Sequence, residues 1–334
     1  MIKIAQIGCG YWGPNLLRSF SSVNNCRIKY LVDPSKERRA FVEKNFPGIT
    51  ATPDLNKVLR DSEVNSLVIA TPAGSHYELA KAGLIAGKNV FVEKPLATTV
   101  AEVDELGRLG KERGLIVMAG HTFLFNPAVR YVKQMIENRE LGDLRYIYCQ
   151  RLNLGRIRSD IDAMWNFAPH DISIIQYWLN NQQPLQVIRK GMDYIQPGVE
   201  DVVFLNLVYP NKIMAHVHVS WLDPQKTRKI VIVGSKRMVI YDDVADDKIA
   251  IYDKGIDQKA MLGVGMHFDT PPVQFSYRSG DVLMPRIDWV EPLRAEAQHF
   301  VDCVRDGNEP LTGVSHARHV VEILERCRPD SSMK

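Results

Sequence analysis

The sequence has no run of about 18 uninterrupted apolar residues, so it offers no segment that reads as a membrane span. The apolar stretch within MIKIAQIGCG is too short for the core of a secretory leader, and the expectation is a cytoplasmic protein. Cysteine is sparse. The five present, Cys9, Cys26, Cys149, Cys303 and Cys327, are odd in number and include no C-x-x-C pair, which argues against a disulfide framework or zinc knuckle and for reduced thiols. Neither sign of charge dominates: 42 Lys+Arg against 39 Asp+Glu leave +3, with the basic residues scattered, so neither nucleic acid nor an anionic membrane is an expected partner. Repeats and low-complexity tracts are absent. What remains is a chain of 334 residues, 45% hydrophobic and 24% charged, the balance of a globular protein long enough for two domains with cores of their own.

Over the first 120 or so residues, short β-branched runs alternate with stretches of helical periodicity. Strands are expected at 2–7, 27–32, 66–70, 90–92 and 115–118, and helices at 14–22, 33–45, 54–61, 75–87 and 99–113. Thr99 with Glu102 makes a T-x-x-E capping box, and Gly87 and Gly114 stand where helices should stop. Strict alternation implies parallel pairing through crossovers, hence a doubly wound Rossmann sheet over residues 1–121. The pattern then changes. After helices at 127–138 and 169–180, strands at 144–154, 185–194, 202–208, 213–221, 229–233, 238–241 and 248–252 are separated only by turns, which predicts a large, mainly antiparallel sheet. Helices at 292–305 and 315–325 complete an α+β domain over 122–334, its terminal helices free to pack back on the first domain, and the Gly/Pro/Asp-rich segment 255–289 reads as a long loop.

Gly8-Cys9-Gly10-Tyr11-Trp12-Gly13 is G-x-G-x-x-G at the junction of the first strand and first helix. The first Gly permits the tight turn, the second lets a pyrophosphate approach the backbone, and the third lets helix and strand pack closely. Such turns also serve flavin, S-adenosylmethionine or a bare corner. In a βαβ unit with Asp33 ending the second strand, a carboxylate placed for adenosine ribose hydroxyls, the string favours a dinucleotide. Asp33 favours NAD, while Lys36, Arg38 and Arg39 leave NADP open.

Val90-Phe91-Val92-Glu93-Lys94-Pro95 is a buried strand ending abruptly in two charges, where the carboxyl ends of strands in doubly wound sheets face the ligand crevice. Together with GCGYWG, Asp33, Ala70-Thr71-Pro72 followed by His76, and the closing helices from Pro292 through Gly307–Pro310, this E-K-P corner resembles the Gfo/Idh/MocA family of NAD(P)-dependent oxidoreductases over nearly the whole chain. The resemblance implies hydride exchange between nicotinamide and a secondary alcohol or ketone of a sugar or cyclitol. It implies cofactor contacts by the glycine turn including Tyr11 and Trp12, by Asp33, Thr71, Pro72, His76, Glu93 and Lys94, and by His121. It also implies a D-x-x-x-H pair at the start of a helix, matched by Asn166 and His170, so the acidic position is an amide; Asp162 and Asp171 stand nearby.

These residues suit the chemistry. A hydroxyl proton must leave as hydride does, and His170, with an ordinary pKa of about 6.5, suits the base. Lys94 would stabilise alkoxide character at the reacting oxygen and Asn166 would orient a neighbouring hydroxyl. Arg151, Arg156 and Arg158 precede this segment, and with them a nucleotide-linked or polysaccharide-precursor sugar is the favoured substrate, binding also to Lys94, Asn166 and His170. An inositol dehydrogenase, a keto-sugar reductase and a nicotinamide-binding sensor with a decayed catalytic set remain alternatives. His216 and His218 alternate on one strand but lack a third ligand, so no metal is expected. The resemblance further implies a homodimer or homotetramer built on the free sheet face.

Overall fold

A computed structural model spans residues 1–334; the described residues exclude 156, 160, 261–272 and 328–334, and the side chains of 258–260, 273 and 274. The N-terminal half alternates as its periodicity requires: β1 Ile2–Ile7, α1 Gly13–Ser21, β2 Cys26–Val32, α2 Lys36–Asn45, β3 Thr50–Thr52, α3 Leu55–Arg60, β4 Ser66–Ile69, α4 His76–Ile85, β5 Asn89–Glu93, α5 Val100–Arg113 and β6 Val117–Gly120. The six strands are parallel in the order β3-β2-β1-β4-β5-β6. The order reverses between β1 and β4, the switch point where a crevice opens at the strands' carboxyl ends. Local signals act as expected at α5, where the Thr99–Glu102 capping box forms in full and Gly114, at φ +63°, closes the helix.

Then follow α6 Pro127–Glu137, β7 Leu144–Leu154, α7 Ala163–Trp178, β8 Gln186–Met192, β9 Val202–Val208, β10 Met214–Ser220, β11 Leu222–Gly234, β12 Met238–Asp242, β13 Ile249–Ala260, β14 Val273–Leu283, α8 Pro292–Asp306 and α9 Val314–Arg326. Eight strands form the second sheet, β14-β13-β12-β11-β7-β10-β9-β8, antiparallel except for the β10–β7 pair. The sheet is mainly antiparallel, as the succession of strands predicts, and β10 lies parallel to β7 within it. The expected loop over 255–289 is corrected: β13 runs to Ala260 and β14 pairs with it, Gly255 opposite Arg278. Arg278 binds Asp253 at 3.0 Å and Asp257 at 2.9 Å across this ladder.

The chain divides into two compact units that are not contiguous in sequence: 1–127, 158–183 and 289–334 form one, 128–157 and 184–288 the other. In the first unit, apolar residues of both sheet faces are buried. Phe20 of α1, Phe91 of β5 and Phe300 of α8 meet edge to face with centroids 5.5–6.1 Å apart, tying the last-but-one helix to the sheet. On the other face Val90 and Val92 join Leu106, Ala317 and Val321 in one core cluster, which seats α5 and α9. The second unit buries Trp221, whose indole N–H donates to Asp201 at 2.5 Å.

Candidate active site

The glycine turn is held by side chains on either side of it. Gly8 has φ +92°, and a Cβ there would lie 2.6 Å from the Ala70 carbonyl oxygen. A Cβ on Gly13 would lie 3.0 Å from the Gly8 carbonyl, whereas one on Gly10 would meet nothing within 4 Å. The turn is thus closed on the protein side and open at its middle glycine, the shape that admits a pyrophosphate. Gln6, absent from the sequence expectations, donates through Nε2 to the carbonyls of Gly8 at 2.9 Å and Gly13 at 3.0 Å. No side chain caps α1, which leaves its first amides for an anion. Tyr11 is exposed and Trp12 partly so, flanking this opening.

Asp33 is 1% exposed, and both its oxygens are engaged: Oδ2 accepts from the Cys9 amide at 2.8 Å and Oδ1 from the Ser35 amide at 2.9 Å. The carboxylate therefore anchors the turn while keeping lone pairs for ribose hydroxyls. Arg38 lies 3.6 Å from Oδ2 and is half-exposed, while Arg39 is spent on the carbonyls of Asp33 and Pro34. Burial pushes the Cys9 thiol up to about 11, so it is no nucleophile. These features fit an NAD-type dinucleotide: Gly8, Gly10 and Gly13 would cradle its phosphates and Asp33 its adenosine ribose.

At the end of β4, Thr71 accepts a hydrogen bond from the Ser75 hydroxyl at 2.8 Å, and Pro72 leads into the turn before α4. His76 is buried with Nδ1 2.7 Å from the Pro95 carbonyl and Nε2 2.8 Å from the Thr71 carbonyl. Both ring nitrogens are engaged by backbone, so in this arrangement His76 acts as a strut between two strand ends. Burial pushes its pKa down, against the pull of the two carbonyls.

The E-K-P corner lies at the end of β5. Lys94 Nζ donates to the backbone carbonyl of Asn166 at 2.6 Å. Here the expected helix start is corrected: α7 begins at Ala163, where Asp162 caps it by accepting from the Trp165 amide at 2.8 Å, and Pro169 lies inside the helix. Asn166 and His170 are consequently one turn apart on one face. Because Lys94 holds a main-chain oxygen, an amide at position 166 leaves this contact intact. The His170 ring meets Phe123 edge to face at 5.0 Å. Asp171 is buried, and Asp162 is spent on the cap.

Behind Lys94 lies a polar layer that sequence reasoning located only in part. His121 is buried, its pKa pushed well below the usual range by desolvation, and its ring meets His316 at 5.3 Å. His316 contacts Ser173 Oγ through Nε2 and Asn181 Oδ1 through Nδ1, each at 2.9 Å. Glu93 and the buried Glu296 complete the layer. The signal for Glu296 was an acid within the apolar stripe of Leu293, Ala297 and Phe300. Lys94, Asn166, His170 and the glycine turn all belong to the first unit, so Lys94 and His170, which the expected ranges 1–121 and 122–334 would separate, lie in the same one. Arg151 lies on β7 in the second unit and is buried. Arg156 lies outside the described residues. Among the described residues no cluster of His, Cys, Asp and Glu is arranged for a metal, and no helix is long and apolar enough to cross a membrane.

Comparison with known proteins matches residues 2–121 to the oxidoreductase family with an NAD-binding Rossmann fold, and residues 129–240 to the GFO/IDH/MocA C-terminal domain. An uncharacterized oxidoreductase of Synechocystis is 36% identical over 274 residues, 72% of each chain. The UDP-N-acetylglucosamine 3-dehydrogenase of Acidithiobacillus ferrooxidans is 25% identical over 255 residues, 76% of this chain and 78% of its own. Its solved structure superposes with a TM-score of 0.78 over 98% of this chain and 96% of that one at 21% identity, a likeness of fold. A 4-carboxy-2-hydroxymuconate-6-semialdehyde dehydrogenase of Sphingobium is 30% identical over 184 residues, 53% of this chain and only 58% of its own length. With both family regions matched in order, and the glycine turn, Asp33 and the E-K-P lysine positioned as described, the chain belongs to the Gfo/Idh/MocA family of NAD-binding oxidoreductases.

Proposed function

We propose that the protein is a sugar dehydrogenase, oxidising a secondary hydroxyl of a nucleotide-linked or polysaccharide-precursor sugar, or reducing the corresponding ketone. The observation that carries this reading is the Lys94 Nζ contact with the Asn166 carbonyl at 2.6 Å, which puts an ammonium beside the helix face bearing His170, in the unit that holds the dinucleotide cradle. A nicotinamide bound there supplies the hydride acceptor. Lys94 donates a hydrogen bond to the reacting oxygen and stabilises its developing negative charge. His170 takes the hydroxyl proton, and Phe123 against its ring limits how that ring turns. The Asn166 side chain orients an adjacent hydroxyl, while its backbone oxygen holds Lys94. The similarity to a UDP-N-acetylglucosamine 3-dehydrogenase supports a nucleotide sugar. Assembly as a homodimer or homotetramer, and a cytoplasmic location, complete the reading.

The test is turnover of a panel of nucleotide sugars, free sugars and cyclitols with NAD or NADP, followed by nicotinamide absorbance. The expected result is NAD-dependent turnover of a nucleotide sugar that falls about 10²–10⁴-fold in Lys94→Met and in His170→Ala. Turnover of cyclitols alone would overturn the substrate class. Turnover undiminished in Lys94→Met would overturn the site.

A further inference from the structure

Glu296 shares its helix face with Leu293, Ala297 and Phe300 and is wholly buried. Its Oε2 accepts from the Thr122 hydroxyl at 2.6 Å, and its Oε1 is buried with no hydrogen-bond partner. An ionised carboxylate with one dry, unbonded oxygen is costly, whereas the neutral acid is tolerated. Burial first, and then the proximity of Glu93, hold this carboxyl well above the usual range.

Glu93 is reached across one strand. It stands opposite Gly120 in the β5–β6 ladder, two residues before Thr122. A Cβ on Gly120 would lie 3.3 Å from the Glu93 carboxyl carbon, so this glycine makes room for the carboxyl group. Glu93 Oε2 accepts from the Lys94 amide at 3.3 Å, and Oε1 is buried without a partner. Burial pushes Glu93 up to about 7, while the Lys94 charge, the Lys94 amide and a hydrogen bond from the Trp12 indole oppose that rise. Among the described residues no ion pair joins a cation to Glu296. Arg18 of α1 is bound to Glu291 at the surface, β1 brings the neutral Gln6, His299 of α8 accepts from the Leu311 amide through Nε2, and His121 is held neutral by burial.

We propose that Glu93 and Glu296 form a carboxyl pair behind the Lys94 corner, holding one proton between them, with Glu296 the neutral acid and Glu93 the anion beside Lys94. Glu296 is thus a positioning residue: by staying uncharged it leaves the negative charge to Glu93, which keeps Lys94 protonated. The proton count is independent of the function proposed above, and only its kinetic consequence rests on the role given to Lys94.

Infrared spectra of the full chain without nucleotide, recorded at mildly alkaline pH in water and in deuterium oxide, test the pair. The expected result is a deuteration-sensitive carbonyl band of a protonated carboxylic acid that persists at mildly alkaline pH, is lost in Glu296→Gln and is retained in Glu93→Gln. Thr122→Val, which removes the hydrogen bond to Glu296, shifts that band while keeping it. Absence of the band from the parent, or its survival in Glu296→Gln, overturns the proposal. In the pH profile of kcat/KM, Glu93→Gln moves the alkaline limb to lower pH and Glu296→Gln does not. An immobile limb alongside the expected infrared result upholds the pair and overturns the role of Lys94 instead.

Discussion

Asp33→Asn separates the two duties of Asp33. In the parent its two oxygens accept the Cys9 amide at 2.8 Å and the Ser35 amide at 2.9 Å in a site that is 1% exposed. Asparagine has nearly the same shape but only one acceptor oxygen, so whichever way it turns, one buried amide faces an NH2 group. A hydrogen bond to a charged group contributes about 1.5–3 kcal/mol, and that is the expected loss of stability. For a unit of this size it corresponds to a fall in Tm of about 3–12 °C, read by differential scanning calorimetry without nucleotide. Isothermal titration then measures the second duty. Loss of a carboxylate acceptor for the ribose hydroxyls weakens NAD by about tenfold or more, since about 1.4 kcal/mol is a factor of ten. NADP is affected less, because removing the anion also removes its repulsion of a 2′-phosphate beside the half-exposed Arg38. An unchanged Tm would refute the anchoring of the turn. An unchanged ratio of NAD to NADP affinity would refute ribose recognition.

The glycines of the turn should respond in opposite ways. Gly8→Ala forces a Cβ to within 2.6 Å of the Ala70 carbonyl oxygen at φ +92°, and thermal melting should show a loss of at least about 2 kcal/mol. Gly10→Ala, with nothing within 4 Å, should leave the melting temperature within about 2 °C of the parent while calorimetry shows weakened NAD binding. His316 supplies a pH prediction. Burial pushes its pKa to about 3, so between the ordinary value of about 6.5 and that point the unfolded chain binds a proton that the native state does not. Stability therefore falls on acidification by about 1.4 kcal/mol per pH unit from this group. His316→Gln can donate to Asn181 and accept from Ser173, and urea titrations from pH 6.5 to pH 5 should show a decline about 2 kcal/mol smaller than in the parent. An equal decline would mean that His316 titrates in the native state.

The doubly wound half was legible because its signals are local. Thr99, Glu102 and Gly114 delimit α5 within a few residues of sequence, and the apolar runs of β1, β4 and β5 are buried on both faces. The errors arose where a local signal had two meanings. Pro169 reads as a helix start because proline suits the first turn, yet Asp162 caps α7 upstream and the proline lies within it. Gly255, Asp257 and Gly280 read as loop residues, but the β13–β14 ladder runs through this stretch, where most side chains are exposed and the Asp–Arg pairs across the strands hold it. The β10–β7 pairing has no local signature at all, since it joins segments about sixty residues apart.

The sequence by itself determined the type of chemistry: a glycine turn with Asp33 for a dinucleotide, a lysine delivered by the end of a buried strand, and a histidine one helical turn after an amide. Spacing along the backbone is enough to specify these. Only the tertiary structure decided that Asp33 is also the anchor of the turn, that Lys94 binds a main-chain oxygen whose side chain is immaterial to the contact, and that Glu296 and Thr122 stand near Glu93. These depend on which groups lose their water, and desolvation is set by the packing of distant segments rather than by any one stretch of chain.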